Sequence, residues 1–367
     1  MYLVKLWPYA NSPRVSQIYA GLYDLHAIGK IRLKLTFQLS KMPVQRLDDL
    51  LWLEVFDVEK KMKRLCFDLR DAGAVIDEED LPLADAYFKR SYDHELVSRF
   101  SPELSRKILP FGLNYACRSR REHGFSRLFF HNVLLGNFSK KPLWACKNVF
   151  GYPLKQMCYR LNLLPADAAA QFVAEDFEVD PVAPSEDRIF FQTHCWSTKE
   201  APNSGPEKLR EVNRLRIGVI RLLKKAFGKR FVGGIVPSPY AEQECPDCIL
   251  PYTGDKKYCL SMMQKSLIAV TTSGLHNSIG WKLGEYVAAS RCIVTETLRY
   301  GIPVPLEENK NILSFESPEE CVNACRRILD DPDFAAKMQK SNAEYYAREV
   351  KPSSLVYRCL DTAFNGK

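Results

Sequence analysis

From Arg188 onward, short apolar runs of strand type alternate with segments whose apolar residues recur at helical spacing, and no other feature restricts the fold as much. RIFFQT leads into a long segment in which Asn203 or Ser204 can cap, Pro206 suits the first turn, and Leu209, Val212, Leu215, Val219, Leu222 and Leu223 form one stripe. FVGGIV, LIAVTT, CIVTET and NILSF read as further strands. Helices are predicted over DKKYCLSMMQK, GWKLGEYVAAS, PEECVNACRRILDD and PDFAAKMQKSNAEYYAREV, with a last stretch from Ser353. Apolar strands separated by amphipathic helices predict a parallel sheet covered on both faces, which is a Rossmann-like domain.

The first half keeps a similar rhythm. LVKLWP, RLKLTF, LWLEVF, RLCFDL, DAYFKR and KILPFG are strand candidates and VSQIYAGLYDLHAI is a helix, so a second open α/β sheet is expected. Strand rhythm fades between Ser119 and Val173, which reads as a helical elaboration. The acidic, proline-containing AEDFEVDPVAPSED from Ala174 to Asp187 breaks both patterns and serves as the linker. Two α/β domains follow, an N-terminal one over 1–178 and a C-terminal one over 188–367.

Composition narrows the class further. With 46% apolar and 26% charged residues, no stretch approaches the roughly 18 uncharged apolar residues of a membrane span. Met1 to Pro13 carries Lys5 inside its apolar run and lacks a cleavage pattern, so no secretion signal is read there. The 12 cysteines lie mostly inside apolar segments, as reduced thiols in a cytoplasm do. Cys245-Pro-Asp-Cys248 has the spacing of half a zinc site, but no second pair follows it, and no metal is expected. Lys plus Arg exceed Asp plus Glu by 52 − 44 = 8, which favours anionic company: nucleotide phosphates, lipid headgroups or nucleic acid. The basic RLLKKAFGKR run follows the period of a helix covering a sheet, and aromatic residues are not interleaved with basic ones, so no nucleic-acid partner is expected.

Ligands of open parallel sheets bind beyond the carboxyl ends of the strands. The loop after LIAVTT, Ser273-Gly274-Leu275-His276-Asn277-Ser278-Ile279-Gly280, combines two glycines with short polar side chains and leads into Trp281-Lys282-Leu283-Gly284-Glu285. Its backbone can approach a phosphate whose charge is favoured by the helix N-terminus and by Lys282, and Glu285 stands one turn in, where a carboxylate can take two ribose hydroxyls. The plainer alternative is an ordinary strand-to-helix turn with Ser278 as a helix cap.

This loop, the WKLGEYVA helix, the strand CIVTET and the segment from Asn311 through SPEECVNACRRILDDPDFAAKMQKSNAEYY together resemble the C-terminal domain of group 1 glycosyltransferases of the GT-B type, over roughly Arg188 to Leu360. The resemblance implies two Rossmann-like domains facing across a cleft. It also implies transfer of a sugar from a nucleotide-diphosphate donor to a hydroxyl of a glycan or other acceptor, as in polysaccharide synthesis. Donor contacts carried over are Gly274, Leu275, His276, Asn277, Ser278, Lys282 and Glu285, with Thr193 in the loop after the first strand of that domain. Asn213, Arg214 and Arg216 are further candidates on the next helix, and Asn11, Ser12 and Arg14 correspond in place to the loop that approaches acceptor and donor phosphates. Many members carry a glutamate eight positions before the ribose-binding one; here that position is Asn277.

Such enzymes work without a bound metal, because helix N-termini and basic side chains neutralise the leaving diphosphate, and no cofactor beyond the donor is implied. Asp331-Pro332-Asp333 reads as helix punctuation. On the acceptor side, RLCFDLRDAG carries a strand into Asp68 and Asp71, placing two carboxylates and Arg70 at a strand end, either as acid–base groups or as a salt-bridged turn. Lys89-Arg90 either recognises an anion or is a solvated strand end. A cytoplasmic location is expected, and the basic excess also admits peripheral association with a membrane surface. Two alternatives stay open: a nucleotide-sugar epimerase of the same architecture, and a non-catalytic nucleotide- or glycan-binding protein.

Overall fold

The computed structural model describes residues 1–7, 13–35, 50–73, 75–121, 172–202, 204–252 and 254–366. Asn11, Ser12 and nearly all of the expected helical elaboration lie outside the described residues. The chain forms two compact units. Unit 1 comprises Met1–Asp176, Gly301–Pro303 and Arg348–Lys367, and unit 2 comprises Phe177–Tyr300 and Val304–Ala347.

Unit 1 is built on six strands, β1 (Tyr2–Leu6), β2 (Ile31–Leu35), β3 (Leu50–Phe56), β4 (Met62–Asp68), β5 (Ala86–Lys89) and β6 (Ile108–Pro110), in the order β2-β1-β3-β4-β5-β6. The strands fall where the apolar runs predict them, but the sheet is not wholly parallel, because β3 runs against both β1 and β4. The cause is the five-residue connection from β3 to β4, too short for a crossover. Asp57 Oδ1 accepts the Glu59 and Lys61 backbone N–H groups, each at 2.9 Å, and Lys60 takes a left-handed φ of 63°, which closes a hairpin. The other five strands run one way and bring their carboxyl ends to one edge.

Helix α1 (Ser16–Ala27) follows β1, and two single turns, α2 (His94–Val97) and α3 (Pro102–Ser105), separate β5 from β6. Trp7, Trp52, Tyr19, Phe67, Phe88 and Phe111 are fully buried, with Phe67 stacked on Phe88 at 5.1 Å. The core also takes in Leu355, Val356, Cys359 and Leu360 of the last helix of the chain, which therefore completes unit 1. That helix lies against α1 at Gly21, where an added Cβ would stand 2.2 Å from the Pro352 carbonyl oxygen, so no larger residue fits.

Unit 2 carries β7 (Glu186–Thr193), β8 (Phe231–Ile235), β9 (Ser266–Thr271), β10 (Cys292–Glu296) and β11 (Ile312–Phe315), all parallel, in the order β8-β7-β9-β10-β11. Read as 2-1-3-4-5, this is a doubly wound sheet whose strand order reverses between β7 and β9. The fold class expected from the sequence, two Rossmann-like α/β units, is the one observed. Helices α4 (Pro206–Phe227), α5 (Pro239–Glu244), α6 (Lys256–Lys265), α7 (Trp281–Ala288), α8 (Pro318–Asp330), α9 (Pro332–Tyr345) and, in unit 1, α10 (Pro352–Asn365) complete the described elements.

Two local expectations change. The N-cap of α4 is Gly205, without a side-chain cap, and not Ser204; Asn203 lies outside the described residues. The buried face of α4 carries Asn213 and Arg216 alongside Leu209, Val212, Val219, Ile220 and Leu223, while Leu215 and Leu222 are only half-buried. Asp331 caps α9 by accepting the Phe334 N–H at 2.9 Å, the punctuation expected of it. Among the described residues no helix is long and apolar enough to cross a membrane.

Candidate donor site at the strand ends of unit 2

The switch point between β7 and β9 is where a doubly wound sheet opens its crevice, and Arg216 spans it. From the buried face of α4 its guanidinium donates to the His194 carbonyl oxygen after β7 at 2.7 Å. It also donates to Thr272 Oγ1 at 3.1 Å and to the Ser273 carbonyl oxygen at 2.8 Å, both after β9. All three acceptors are uncharged, and the residue is only 5% exposed. Burial pushes its guanidinium down to about 10, against the pull of Cys195 and Glu296. The sequence signal was present, since position 216 falls on the buried stripe of its helix. The exposed Arg214 does not, and Asn213 instead fastens the first loop by exchanging hydrogen bonds with the Trp196 backbone at 2.9 and 3.0 Å.

Lys282, in the first turn of α7, donates to the Gln192 carbonyl oxygen, one residue before the buried Thr193 at the end of β7. Desolvation lowers its ammonium from the ordinary lysine value, opposed by Cys259 and Glu285. Packing of His194 against Trp196, with centroids 5.2 Å apart, desolvates the imidazole. That desolvation, then the charges of Lys282 and Arg216, push His194 down to about 4, although the residue keeps an exposed edge. Two cations held by neutral oxygens thus stand at this edge, with Glu296 and Glu285 as the carboxylates whose charges act on them.

The glycine loop is partly committed to its own fold. The Ser273 N–H donates to Glu296 Oε2 at 2.8 Å and the Gly274 N–H to the Ser278 carbonyl oxygen at 2.8 Å. Ser278 Oγ donates to the Leu275 carbonyl oxygen at 2.9 Å, so it does not cap α7. The N-cap of α7 is Gly280, which offers no side chain and leaves the helix N-terminus uncapped. Between them His276 and Asn277 stand consecutively in the left-handed region, at φ 63° and 58°, with the His276 carbonyl oxygen held by Tyr300 Oη at 2.7 Å. Side-chain-bearing residues adopt that conformation at a cost, and such strain gathers at ligand sites. Trp281 Nε1, at the first position of α7, is a buried donor without a partner among the described residues, which a ligand oxygen would satisfy.

Glu285 is 4% exposed and its Oε1 accepts from Lys256 Nζ at 2.5 Å. Lys256 begins α6, whose N-cap Asp255 accepts the Tyr258 N–H at 2.9 Å. Lys256 and Glu296 were not singled out in the sequence; the second could have been found as the polar end of the CIVTET strand. Thus Thr193, Lys282, Arg216 and the Ser273–Ser278 loop are tied together at one sheet edge, and Glu285 joins them through the α7 helix it shares with Lys282.

Asp68 and Asp71 lie in unit 1. Asp68 is fully buried and accepts from Arg70 at 2.9 and 2.7 Å, Tyr87 Oη at 2.7 Å and Lys89 at 3.0 Å. Burial would raise its carboxyl, but the hydrogen bond from Arg70 and the charges of Lys89 and Arg70 outweigh it and hold the group below its ordinary value. A sealed carboxylate so engaged matches the salt-bridged turn, the second of the two readings of this strand end. Asp71 is half-buried between Arg14, at 3.3 Å, and Arg90. Lys89 and Arg90 are 0% and 4% exposed, so the solvated strand end is excluded.

No family model matches the chain, and no curated protein does. Solved structures similar to it include the C-terminal domain of the group 1 glycosyl transferase LpcC from Francisella tularensis, at 13% identity and a TM-score of 0.32, covering 46% of this chain and 88% of that one. A Staphylococcus aureus TarM mutant crystallised with UDP matches at 13% identity and a TM-score of 0.42, covering 78% of this chain and 45% of that one. The Anabaena protein Alr3699/HepE in complex with UDP matches at 10% identity and a TM-score of 0.43, covering 99% and 98%. The chain thus spans less than half the length of the TarM chain.

Proposed function

We propose that the protein is a glycosyltransferase that takes a sugar from a nucleotide-diphosphate donor held at the strand ends of unit 2. The observation that carries this reading is the placement of Arg216 and Lys282 at the switch point, each held by uncharged oxygens, so that their charge is available to a diphosphate. In this reading the loop of Gly274, Leu275, His276, Asn277 and Ser278 and the uncapped α7 N-terminus face the phosphates. Glu285 accepts ribose hydroxyls at Oε2 while Lys256 keeps Oε1, and Thr193 borders the diphosphate. When the acceptor hydroxyl attacks the anomeric carbon, negative charge grows on the leaving diphosphate, and cations already fixed in place stabilise it without reorganising.

Glu285→Ala tests the donor site. Loss of a charge-assisted hydrogen bond costs roughly 1.5–3 kcal/mol, so nucleoside diphosphate affinity measured by calorimetry should fall about ten- to hundredfold with the fold intact. Unchanged affinity would sink the assignment. A panel of nucleotide sugars then separates transfer to a hydroxyl acceptor from epimerisation, the activity named for one similar structure, and from binding without turnover.

A further inference from the structure

Ligands of an open sheet gather at its carboxyl edge, so a cavity at the opposite edge has no part in the donor reading. Unit 1 holds such a cavity, of about 490 Å³, where β1, β2 and β4 begin and β3 ends. All of its lining residues belong to unit 1. Its volume falls within the roughly 300–1,000 Å³ of small-molecule sites.

Part of the lining is aromatic. Tyr2 opens β1, Tyr357 and Phe364 lie on α10, and the Tyr2 ring centre is 6.3 Å from that of Tyr357 and 5.2 Å from that of Phe364. Lys63 Nζ stands 5.4 Å from the centre of the Phe364 ring and donates to the Ala363 carbonyl oxygen at 2.6 Å, while Tyr357 stays 39% exposed. The accessible end of this ring surface is therefore Tyr357. The α1–β2 turn adds Lys30, and the β3–β4 hairpin adds Asp57, Val58 and Glu59. At the hairpin tip, where polar residues are the rule, Val58 is 76% exposed. Apolar groups left in water around one hollow mark a binding site in a way that scattered ones do not.

The polar groups beside the rings are uncommitted. Asp57 gives Oδ1 to the hairpin, but its Oδ2, the Glu59 carboxylate and the Lys30 ammonium have no partner among the described residues. Two carboxylates and one ammonium leave no surplus positive charge for a phosphate. Lys60 and Lys61 of the hairpin, with Lys30 and Lys63, weigh against an organic cation. An uncharged ligand with an apolar face and many hydroxyls suits this lining.

We propose that the cavity binds a neutral saccharide, the C–H face of a pyranose lying on Tyr357 and Tyr2 and its hydroxyls bonded to Asp57, Glu59 and Lys30. A pyranose joins a rigid C–H face to hydroxyls that both donate and accept, which rings flanked by open carboxylate and ammonium groups can match together. The site rests on unit 1 alone and stands whether or not unit 2 holds a nucleotide.

The probes are cellobiose and maltose, with sorbitol and choline as controls, followed by saturation-transfer NMR on the whole protein at millimolar concentrations. At least one disaccharide should bind, with its C–H protons saturated most, and excess UDP should not displace it. Sorbitol, which has the hydroxyls without the rigid face, should not bind. Tyr357→Ala, at an exposed position, should weaken binding at least about threefold, and Tyr357→Phe should keep it. Binding by neither disaccharide, equal binding by Tyr357→Ala and wild type, displacement by UDP, or sorbitol bound as tightly would overturn the proposal. Preference for choline would overturn it in favour of a cation site. A dimer that Val58→Asp disperses in sedimentation velocity would overturn it in favour of a second copy of this chain covering the cavity.

Discussion

Both sheets bring cations to their carboxyl edges, yet they hold them in different ways. In unit 1 each cation touches a carboxylate, and Asp68 is wholly enclosed by its donors. In unit 2 Arg216 and Lys282, among the described residues, are hydrogen-bonded to carbonyl and hydroxyl oxygens and to no carboxylate. Carbonyl dipoles orient a cation without cancelling its charge, whereas a carboxylate does both. The first arrangement ties strands together; the second keeps a field in the crevice for an incoming anion.

If the contrast is right, removing the two anchors should have opposite signatures. Asp68→Ala strands the sealed Lys89 without its carboxylate and takes from the half-buried Arg70 its ion pair, and breaking a buried pair in this way costs about 3–5 kcal/mol. Urea unfolding should show that loss while nucleoside diphosphate affinity, measured where the variant is still folded, stays at the wild-type level. Arg216→Met removes hydrogen bonds to neutral acceptors, about 0.5–1.5 kcal/mol each, but also a charge at the switch point. It should destabilise less than Asp68→Ala and weaken nucleoside diphosphate binding at least about tenfold. A stability loss for Arg216→Met larger than for Asp68→Ala, or intact nucleotide binding, would break the comparison.

The strand and helix positions were legible because burial on both faces of a parallel sheet forces continuous apolar runs, and RIFFQT, LIAVTT and CIVTET obey that rule. Strand direction was not written in those runs; for β3 it lay in the five-residue gap before β4. The loop from Gly274 to Gly280 stood out through its glycines and polar side chains. What could not be read is which of its N–H groups the fold keeps, since Glu296 and the Ser278 carbonyl reach Ser273 and Gly274 from elsewhere. Lys89 and Arg90 illustrate the same limit of one-dimensional pattern. Their types favour solvent, and only the register that sets Asp68 beside Lys89 makes burial tolerable. The place of α10 in unit 1 likewise depends on a tertiary contact at Gly21 that no periodicity announces.

The two edges should also respond to acid in different windows. Asp68 is held below the ordinary aspartate value of about 3.9, so its contribution is complete above that pH and is lost as pH falls through the folded value. His194, lowered to about 4, stays neutral in the folded protein at pH values where the unfolded ring, near 6.5, takes a proton. Its effect therefore begins as pH falls below about 6.5 and is complete near 4. NMR titration should give a His194 midpoint far below that of an ordinary histidine. The steepest part of the acid unfolding curve should be blunted in Asp68→Asn. A His194 midpoint near 6.5 would remove the crowding by Lys282 and Arg216 on which the unit 2 side of the contrast depends.

The smallest effects concern backbone strain, and again the units should differ. Lys60 in the β3–β4 hairpin and His276 in the glycine loop are both exposed, and both hold φ 63°. A left-handed residue with a Cβ costs about 1–2 kcal/mol, and glycine relieves that cost while giving the unfolded chain more freedom, so the net gain is under about 1 kcal/mol in each case. Lys60→Gly should raise the unfolding midpoint slightly and change no ligand affinity, because its turn serves only to reverse the chain. His276→Gly should give a similar gain and yet weaken nucleoside diphosphate binding, because there the strain fixes the loop that faces the phosphates and the imidazole itself is removed. His276→Asn separates those two causes. Asparagine tolerates the left-handed region, so binding recovered in this variant assigns the effect to loop geometry, and binding still lost assigns it to the ring. If neither substitution at 276 alters affinity, the strained turn is a chain reversal like that at Lys60, and the loop's part in holding the donor falls.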